Sequence, residues 1–151
     1  MPLSKIDPNM QAGGPVFSAY ATATLSLATN TFTKLPYSVE EFDSANCYDN
    51  ATNFRFTPNV AGYYQINAAA YLAGAAYSIL TIYKNGVEFK RGIQGAAVNS
   101  PLMSTVSALI YMNGSTDYLE IYGFQNSGIT ATVLANSAVL NYFQGALVKA
   151  A

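Results

Sequence analysis

The sequence contains no histidine and very little charge: seven basic and eight acidic side chains among 151 residues. Without histidine, a nucleophile cannot be activated by a Ser-His-Asp or Cys-His arrangement, and zinc cannot be bound by histidine. The chain also lacks the commonest general base at neutral pH. The single cysteine, Cys47, excludes a disulfide or a cysteine-ligated metal site within one chain. We therefore expect a protein that is not an enzyme and uses no cofactor.

The scarcity of charge also limits the partners of this protein. A formal net charge of −1 cannot neutralise a row of phosphates, so a nucleic-acid-binding role is excluded. Soluble domains usually carry about 25% charged residues, against 10% here. The surface must therefore be wetted by neutral polar side chains or covered by other copies of the chain, and we favour the second explanation.

Long apolar runs are missing as well. No window reaches the roughly 18 continuous apolar residues of a membrane span, so membrane insertion is not expected. The first eight residues have neither the basic start nor the apolar stretch of a secretory signal, which predicts a protein that is soluble when made.

The length of the chain predicts one domain with its own core. Gln11, Ala12, Gly13 and Gly14 precede Pro15 and are typical of a linker. We therefore divide the chain into an N-terminal arm or attachment segment, residues 1–14, and a domain, residues 15–151.

The domain is predicted to be all-β, because it consists of short β-rich runs separated by turn residues and has no sustained helical period. Residues 62–72 alternate and are rich in tyrosine. Residues 79–84 and 87–91 flank Asn85-Gly86, which favours the type I′ turn of a hairpin. Further strands are predicted at residues 16–23, 32–35, 54–57, 106–112, 117–124 and 138–148.

Two features of this pattern concern strand arrangement. Residues 106–112 and 117–124 flank a loop with Asn113-Gly114 and suggest a second antiparallel pair. About eight to ten strands are too many for one exposed sheet, so two sheets must pack face to face, as in a sandwich or a jelly roll. The residues alone do not choose the topology.

Several motifs occur in an order that resembles the globular heads of the complement C1q and tumour-necrosis-factor (TNF) superfamily. Residues 15–19 resemble the family's opening strand, and residues 41–64 are similar to its pattern of Asn-x-Tyr-Asp, an aromatic strand with Thr-Pro, and Gly-x-Tyr. Lys84-Asn85-Gly86, Gly114 with Asp117, and residues 142–147 follow in the family's order. Gln144 departs from it, since a serine is usual there.

This resemblance implies a ten-stranded, two-sheet jelly-roll sandwich that assembles as a homotrimer, which agrees with the low charge. The short chain has no collagen-like run and looks more like the small heads of bacteriophage virions. It implies a non-enzymatic structural protein located in the virion, as a capsid decoration or fibre, or as a tail-fibre tip. The alternative is a receptor- or glycan-binding, lectin-like module of a phage or bacterium. For both functions, a glycan or a receptor on the host surface is a candidate partner.

Candidate residues follow from these expectations. Attachment to other virion proteins is assigned to the apolar residues of the arm, Leu3, Ile6 and Met10. Strand aromatics are assigned to the trimer interface or core rather than to a ligand platform, because receptor sites more commonly lie on loops. The assigned residues are Phe17, Tyr64, Tyr83, Tyr122, Tyr142 and Phe143.

Two charged clusters leave alternatives open. Glu40, Glu41, Asp43 and Asp49 are either a solvated connection or a calcium-binding loop, and the first interpretation is favoured because their spacing matches no calcium-loop pattern. Lys84, Lys90 and Arg91 are either an anionic-glycan site or a charged strand edge that discourages sheet-to-sheet pairing. The edge is favoured, so no metal or cofactor residue is predicted.

Overall fold

A computed structural model describes residues 13–96, 101–134 and 137–151 and consists almost entirely of strands. The strands are β1 (Val16–Tyr20), β2 (Leu25–Leu27), β3 (Thr33–Lys34), β4 (Val39–Asp43), β5 (Tyr48–Asp49), β6 (Arg55–Phe56), β7 (Gly62–Ala73), β8 (Tyr77–Lys84), β9 (Val87–Arg91), β10 (Gly95–Ala96), β11 (Leu102–Met112), β12 (Leu119–Gln125), β13 (Ala131–Val133) and β14 (Tyr142–Ala150). One short helix, α1 (Ser137–Leu140), precedes the last strand. No helix in the described ranges is long and apolar enough to cross a membrane.

The strands form two antiparallel sheets. The first sheet has the order β2-β13-β7-β14-β1-β4, and β11 pairs with β7 as well. The second has the order β10-β8-β12-β6-β5, with β9 beside β8 and β3 beside β12. Each sheet buries one face against the other, which confirms the all-β, two-sheet architecture predicted from the sequence.

Aromatic side chains fill one end of the core between the sheets. Phe17 stacks on Phe56 with ring centroids 4.3 Å apart and meets Phe143 edge-on at 4.9 Å. Tyr48 and Tyr37 keep their hydroxyl groups satisfied inside this cluster, since Tyr48 donates to the carbonyl of Tyr37 and Tyr37 donates to that of Ala69. Burial raises the pKa of both phenols, so they remain neutral donors.

The predicted hairpin is confirmed, and its turn uses Asn85-Gly86. Both residues have positive φ, 55° and 79°, as a type I′ turn requires. The side chain of Asn85 also ties this turn to the next loop, because its Nδ2 donates to Asp117 and its Oδ1 accepts the Tyr118 N–H.

The predicted pairing across Asn113-Gly114 is wrong. Strand β11 pairs with β7 in the first sheet, whereas β12 pairs with β8 in the second, so the intervening loop crosses between sheets. The side-chain oxygen of Asn113 accepts the backbone N–H groups of residues 115, 116 and 117 and shapes this crossing. The segment between the strands is six residues long, enough to span the roughly 10 Å between packed sheets.

The last strand starts later than predicted. Residues 137–140 form α1, and β14 begins at Tyr142. Asn141, which is buried, separates them: its Oδ1 accepts the N–H of Tyr71 and its Nδ2 donates to the carbonyl of Leu134. The side chain thereby takes the place of a ladder bond, and the strand pairs with β7 only from Tyr142 onward.

The loop that crosses between the two sheets, residues 113–118, can be tested at Gly114, with Gly128 as a matched control. Both have positive φ, 72° and 78°. A Cβ on Gly114 would clash with the backbone nitrogen of Ala61, whereas no heavy atom of the described residues lies within 4 Å of a Cβ on Gly128. Gly128→Ala should therefore cost only the left-handed strain of about 1 kcal/mol, and Gly114→Ala clearly more. Urea unfolding of both variants checks this, and equal losses would contradict it.

Candidate assembly surface

The outward face of four strands of the first sheet, β11, β7, β14 and β1, carries no charge in its interior among the described residues. Side chains on β11, β7, β14 and β1 alternate between the core and this face, and the cross-strand register aligns them in rows such as Leu109-Gln65-Ala146-Val16. We call the following sixteen residues the uncharged face: Val16, Ser18, Tyr20, Tyr63, Gln65, Asn67, Ala69, Tyr71, Met103, Thr105, Ser107, Leu109, Tyr111, Tyr142, Gln144 and Ala146. Charged residues stand at its borders: Glu41 on β4, Lys149 on β14, and Lys84, whose Nζ lies 5.9 Å from the centroid of the Tyr111 ring.

Neutral polar groups occupy the centre of the uncharged face. The Gln65 amide donates to the Ser107 hydroxyl at 2.9 Å, and this hydroxyl donates to the Asn67 side-chain oxygen at 2.8 Å. Their rotamers are thus held before any partner arrives. Amides and hydroxyls can be buried against another surface if they gain partners there, at far lower cost than a charge.

Apolar side chains surround this centre and are exposed. The exposed fractions are 55% for Leu109, 45% for Tyr111 and 44% for Tyr63, and the last two rings pack edge-on at 5.5 Å. Phe42, on the bordering strand β4, is 53% exposed. A large apolar surface of this kind, interrupted by no charge, is typical of a protein-protein interface rather than of a solvated surface.

A shallow groove of about 330 Å³ runs across the face. Its floor and walls are formed by Val16, Phe17, Phe42, Gln65, Asn67, Gln144, Gly145 and Ala146. At Gly145 a Cβ would point into the core, 2.7 Å from Ile66 and 2.8 Å from the Phe17 ring, so the backbone of β14 packs directly against the core at this point.

The structure places the six candidate aromatic residues at three locations. Phe17, Tyr64 and Phe143 are buried in the core. Tyr142 lies on the uncharged face, where it pairs with Ala69 and Tyr20. The remaining two, Tyr83 and Tyr122, lie together on the outward face of the second sheet.

Sequence reasoning missed most of the uncharged face. It did not single out Gln65, Asn67, Ser107 and Leu109, although these residues lie in two long runs without any charged residue, 56–83 and 92–116. The attachment candidates Leu3, Ile6 and Met10 fall outside the described residues.

Of the three basic residues near the β8–β9 hairpin, Lys84 and Lys90 both lie near the ring of Phe89, at 5.8 and 5.2 Å from its centroid, and Arg91 is held elsewhere. Lys84 pairs with Asp117 at 2.9 Å and donates to the carbonyl of Tyr111. Arg91 instead forms a two-pronged pair with Glu88. Lys90 lies over the ring of Phe89.

The acidic residues of the loops bond to their own backbone. Asp43 accepts the N–H groups of Ala45 and Tyr48, and Glu41 accepts the hydroxyl of Ser18. Across the described parts of the chain, no three metal-ligating side chains come together. These carboxylates fasten loops by hydrogen bonds.

Asp49 provides a test of this loop chemistry through pH. Its carboxylate accepts the N–H of Thr52, the side-chain amide of Asn53 and the N–H of Ala51, which lowers the pKa of Asp49 to about 2 from 3.8. Because the folded pKa is the lower one, the bonds stabilise the fold above pH 3.8, and this contribution is lost as the pH falls toward 2. Urea midpoints should therefore converge for wild type and Asp49→Asn at pH 2 and separate above pH 4. A constant difference between them would contradict this account.

Comparison with known proteins used both the sequence and the fold. No family model and no curated protein matches the sequence. The fold matches the globular domain of zebrafish complement 1qA protein over 91% of this chain and 99% of that chain, with a TM-score of 0.68 and 15% identity. It matches murine APRIL over 89% and 99%, with a TM-score of 0.69 and 7% identity.

A viral protein shows the same fold. The vertex protein P5 of phage PRD1 aligns over 90% of this chain and 74% of its own, with a TM-score of 0.61 and 17% identity. All these identities are low, so the likeness concerns the backbone. The protein has the jelly-roll fold that complement C1q globular domains share with TNF proteins, as the resemblance of its motifs predicted.

Proposed function

We propose that this protein is a non-enzymatic structural component of a phage virion, a homotrimeric jelly-roll head held on the particle by the arm of residues 1–14. The observation that carries the proposal is the uncharged face. Three copies related by a threefold axis would bury this face against one another and leave the second sheet outside.

The chemistry of the face fits a permanent interface. The exposed side chains of Tyr63, Tyr111 and Leu109 supply the apolar area that such an interface buries. Gln65 and Ser107 supply hydrogen-bonding groups that can be buried without an opposite charge on the partner. The groove beside Phe42 offers space for a side chain of the neighbouring copy.

The virion role is supported by the likeness to the PRD1 vertex protein, whose name places it at a particle vertex. The arm suits attachment: it carries Leu3, Ile6 and Met10 and is joined to β1 by the glycines at 13 and 14. The start of β1, where the arm joins the domain, lies at the same end of the sandwich as the C-terminus, because β1 and β14 are antiparallel. The opposite end, with the loops after β1, β7 and β12, would then face outward.

Two measurements test this assignment. Mass determination of the purified protein in dilute buffer should give an oligomer of three chains, and a stable folded monomer would overturn the trimer. Deleting residues 2–13 should release the protein from phage particles while the trimer stays intact. If the shortened protein remains on the particle at full occupancy, the head and not the arm carries the attachment.

The number of copies per particle separates the two structural roles. Dozens to hundreds of copies would indicate a capsid decoration or fibre, and a handful at the tail would indicate a fibre tip. A particle reconstruction gives this number directly and also shows which loops face outward.

A further inference from the structure

The outward face of the second sheet carries a chain of five half-buried aromatic rings: Phe32, Tyr77, Tyr83, Tyr122 and Phe124. We call these rings the aromatic platform. The centroid of Tyr77 is 6.2 Å from that of Phe124, which is 4.8 Å from Phe32, and Phe32 is 6.1 Å from Tyr83. Tyr83 and Tyr122 stack at 4.0 Å with 25° between their planes.

The rings rest on a closed surface. Ile79 and Thr81 lie on the same face of β8 and are buried, with Thr81 donating to the carbonyl of Lys90. Rings held from below in this way lose little conformational freedom when a ligand lies on them.

Four charged residues surround the stacked tyrosines. In the cross-strand register, Glu88 and Glu120 stand on either side of Tyr83. The next row contains Arg91 beside Thr81 and Lys34 beside Tyr122.

The four charges form two ion pairs and cancel. Lys34 Nζ lies 3.0 Å from Glu120 Oε1, while Arg91 Nε and Nη2 lie 2.7 and 2.9 Å from the two oxygens of Glu88. These four charges therefore cancel one another, and they border the stacked rings with planar, two-pronged polar groups.

Among the described residues, the exposed apolar surface around the stacked tyrosines is aromatic. The large aliphatic side chains that are exposed lie on the uncharged face, on the sandwich edge or in loops, and none borders the stacked tyrosines. They are Val87, Ile93, Met103, Leu109, Ile129, Val139 and Val148. A protein interface of obligate type would combine aromatic with aliphatic surface.

We propose that the aromatic platform binds a neutral glycan. The C–H face of a sugar ring carries partial positive charge and complements the negative face of an aromatic ring. Adjacent sugar hydroxyls match the carboxylates of Glu88 and Glu120 and the guanidinium of Arg91. Because the charges cancel, an anionic polymer gains no electrostatic attraction here.

This inference goes beyond the proposed structural role and uses the other sheet. It depends on that role only for multivalency, because three platforms on one trimer would engage a repetitive surface polysaccharide with avidity.

The test uses the purified full-length protein on a printed array of neutral and anionic bacterial surface oligosaccharides. We expect binding to neutral members that persists at high salt. Tyr83→Ala should then lower the affinity by at least about tenfold, through loss of stacking. Arg91→Ala, at an exposed position, should lower it by a similar factor without disturbing the fold. Lys90→Ala is the matched control, since Lys90 registers with Ile82 and so lies on the opposite side of β9, and it should leave binding unchanged.

Circular dichroism and mass measurements on each variant separate loss of binding from loss of fold. Absence of binding to every neutral member, preference for anionic members, unchanged affinity in Arg91→Ala, or equal loss in Lys90→Ala would overturn the platform. A virion trimer that binds no glycan contradicts only this inference, and a monomer that binds glycan contradicts only the proposed assembly.

Discussion

Leu109→Asp is expected to convert the proposed trimer to monomers. Leu109 is 55% exposed in the single chain, so the substitution costs the isolated fold little. In the proposed trimer, the new carboxylate would be buried in the interior of the face, where no cation lies beside it, and an uncompensated buried charge costs about 3–5 kcal/mol. The cost recurs in each of the three copies.

Mass photometry at micromolar concentration measures the outcome, with the single chain at 16.1 kDa as the expected species for the variant. Val87→Asp introduces the same side chain at a residue that is 68% exposed on β9, a strand of the second sheet, and should leave the trimer intact. If Leu109→Asp also remains trimeric, the subunits meet through another surface.

Phe143→Ala is expected to be the most destabilising single truncation of the core. The ring is fully buried and contacts Phe17, Tyr48 and Tyr37 with centroids 4.9, 5.7 and 5.9 Å away. Truncating a buried phenylalanine to alanine typically lowers the free energy of unfolding by about 3–5 kcal/mol, because buried apolar surface is lost and a cavity remains. That is a large part of the stability of an ordinary domain, about 5–15 kcal/mol.

Urea unfolding at one fixed protein concentration measures this loss, since the stability of an oligomer depends on concentration. Phe89→Ala removes the same ring from a residue that is 46% exposed on β9, and its midpoint should move far less. Similar shifts in both variants would mean that the aromatic cluster does not dominate the core.

Strands were predictable where the pattern is local. The hairpin at Asn85-Gly86 follows from two residues that accept positive φ, and β7 follows from an alternation sustained over its length. Strand β4 and the short β13 were missed, since their residues alternate too weakly to stand out. The pairing of β11 with β7, and not with β12, depends on a crossing between sheets that no local signal reports.

The two outward faces illustrate the same limit. Tyr83 and Tyr122 are 39 positions apart in the sequence, and only the pairing of β8 with β12 places their rings 4.0 Å from each other. In the same way, Lys34 and Glu120 lie 86 positions apart and form an ion pair only because β3 pairs with β12. Glu88 and Arg91, by contrast, are three positions apart on β9, so their ion pair is local in the sequence.

The sequence by itself determined the all-β class, the central hairpin, the family resemblance and the shortage of charge that points to assembly. These depend on composition, on the two-residue period of strands and on the φ values that asparagine and glycine tolerate, which are properties of neighbouring residues. Only the tertiary structure decided which strands share a sheet, that the charge-free positions of four strands form one continuous face, and that the paired charges surround stacked rings on the other. Those features arise from contacts between residues distant in the chain, and their register is set by packing of the whole sandwich.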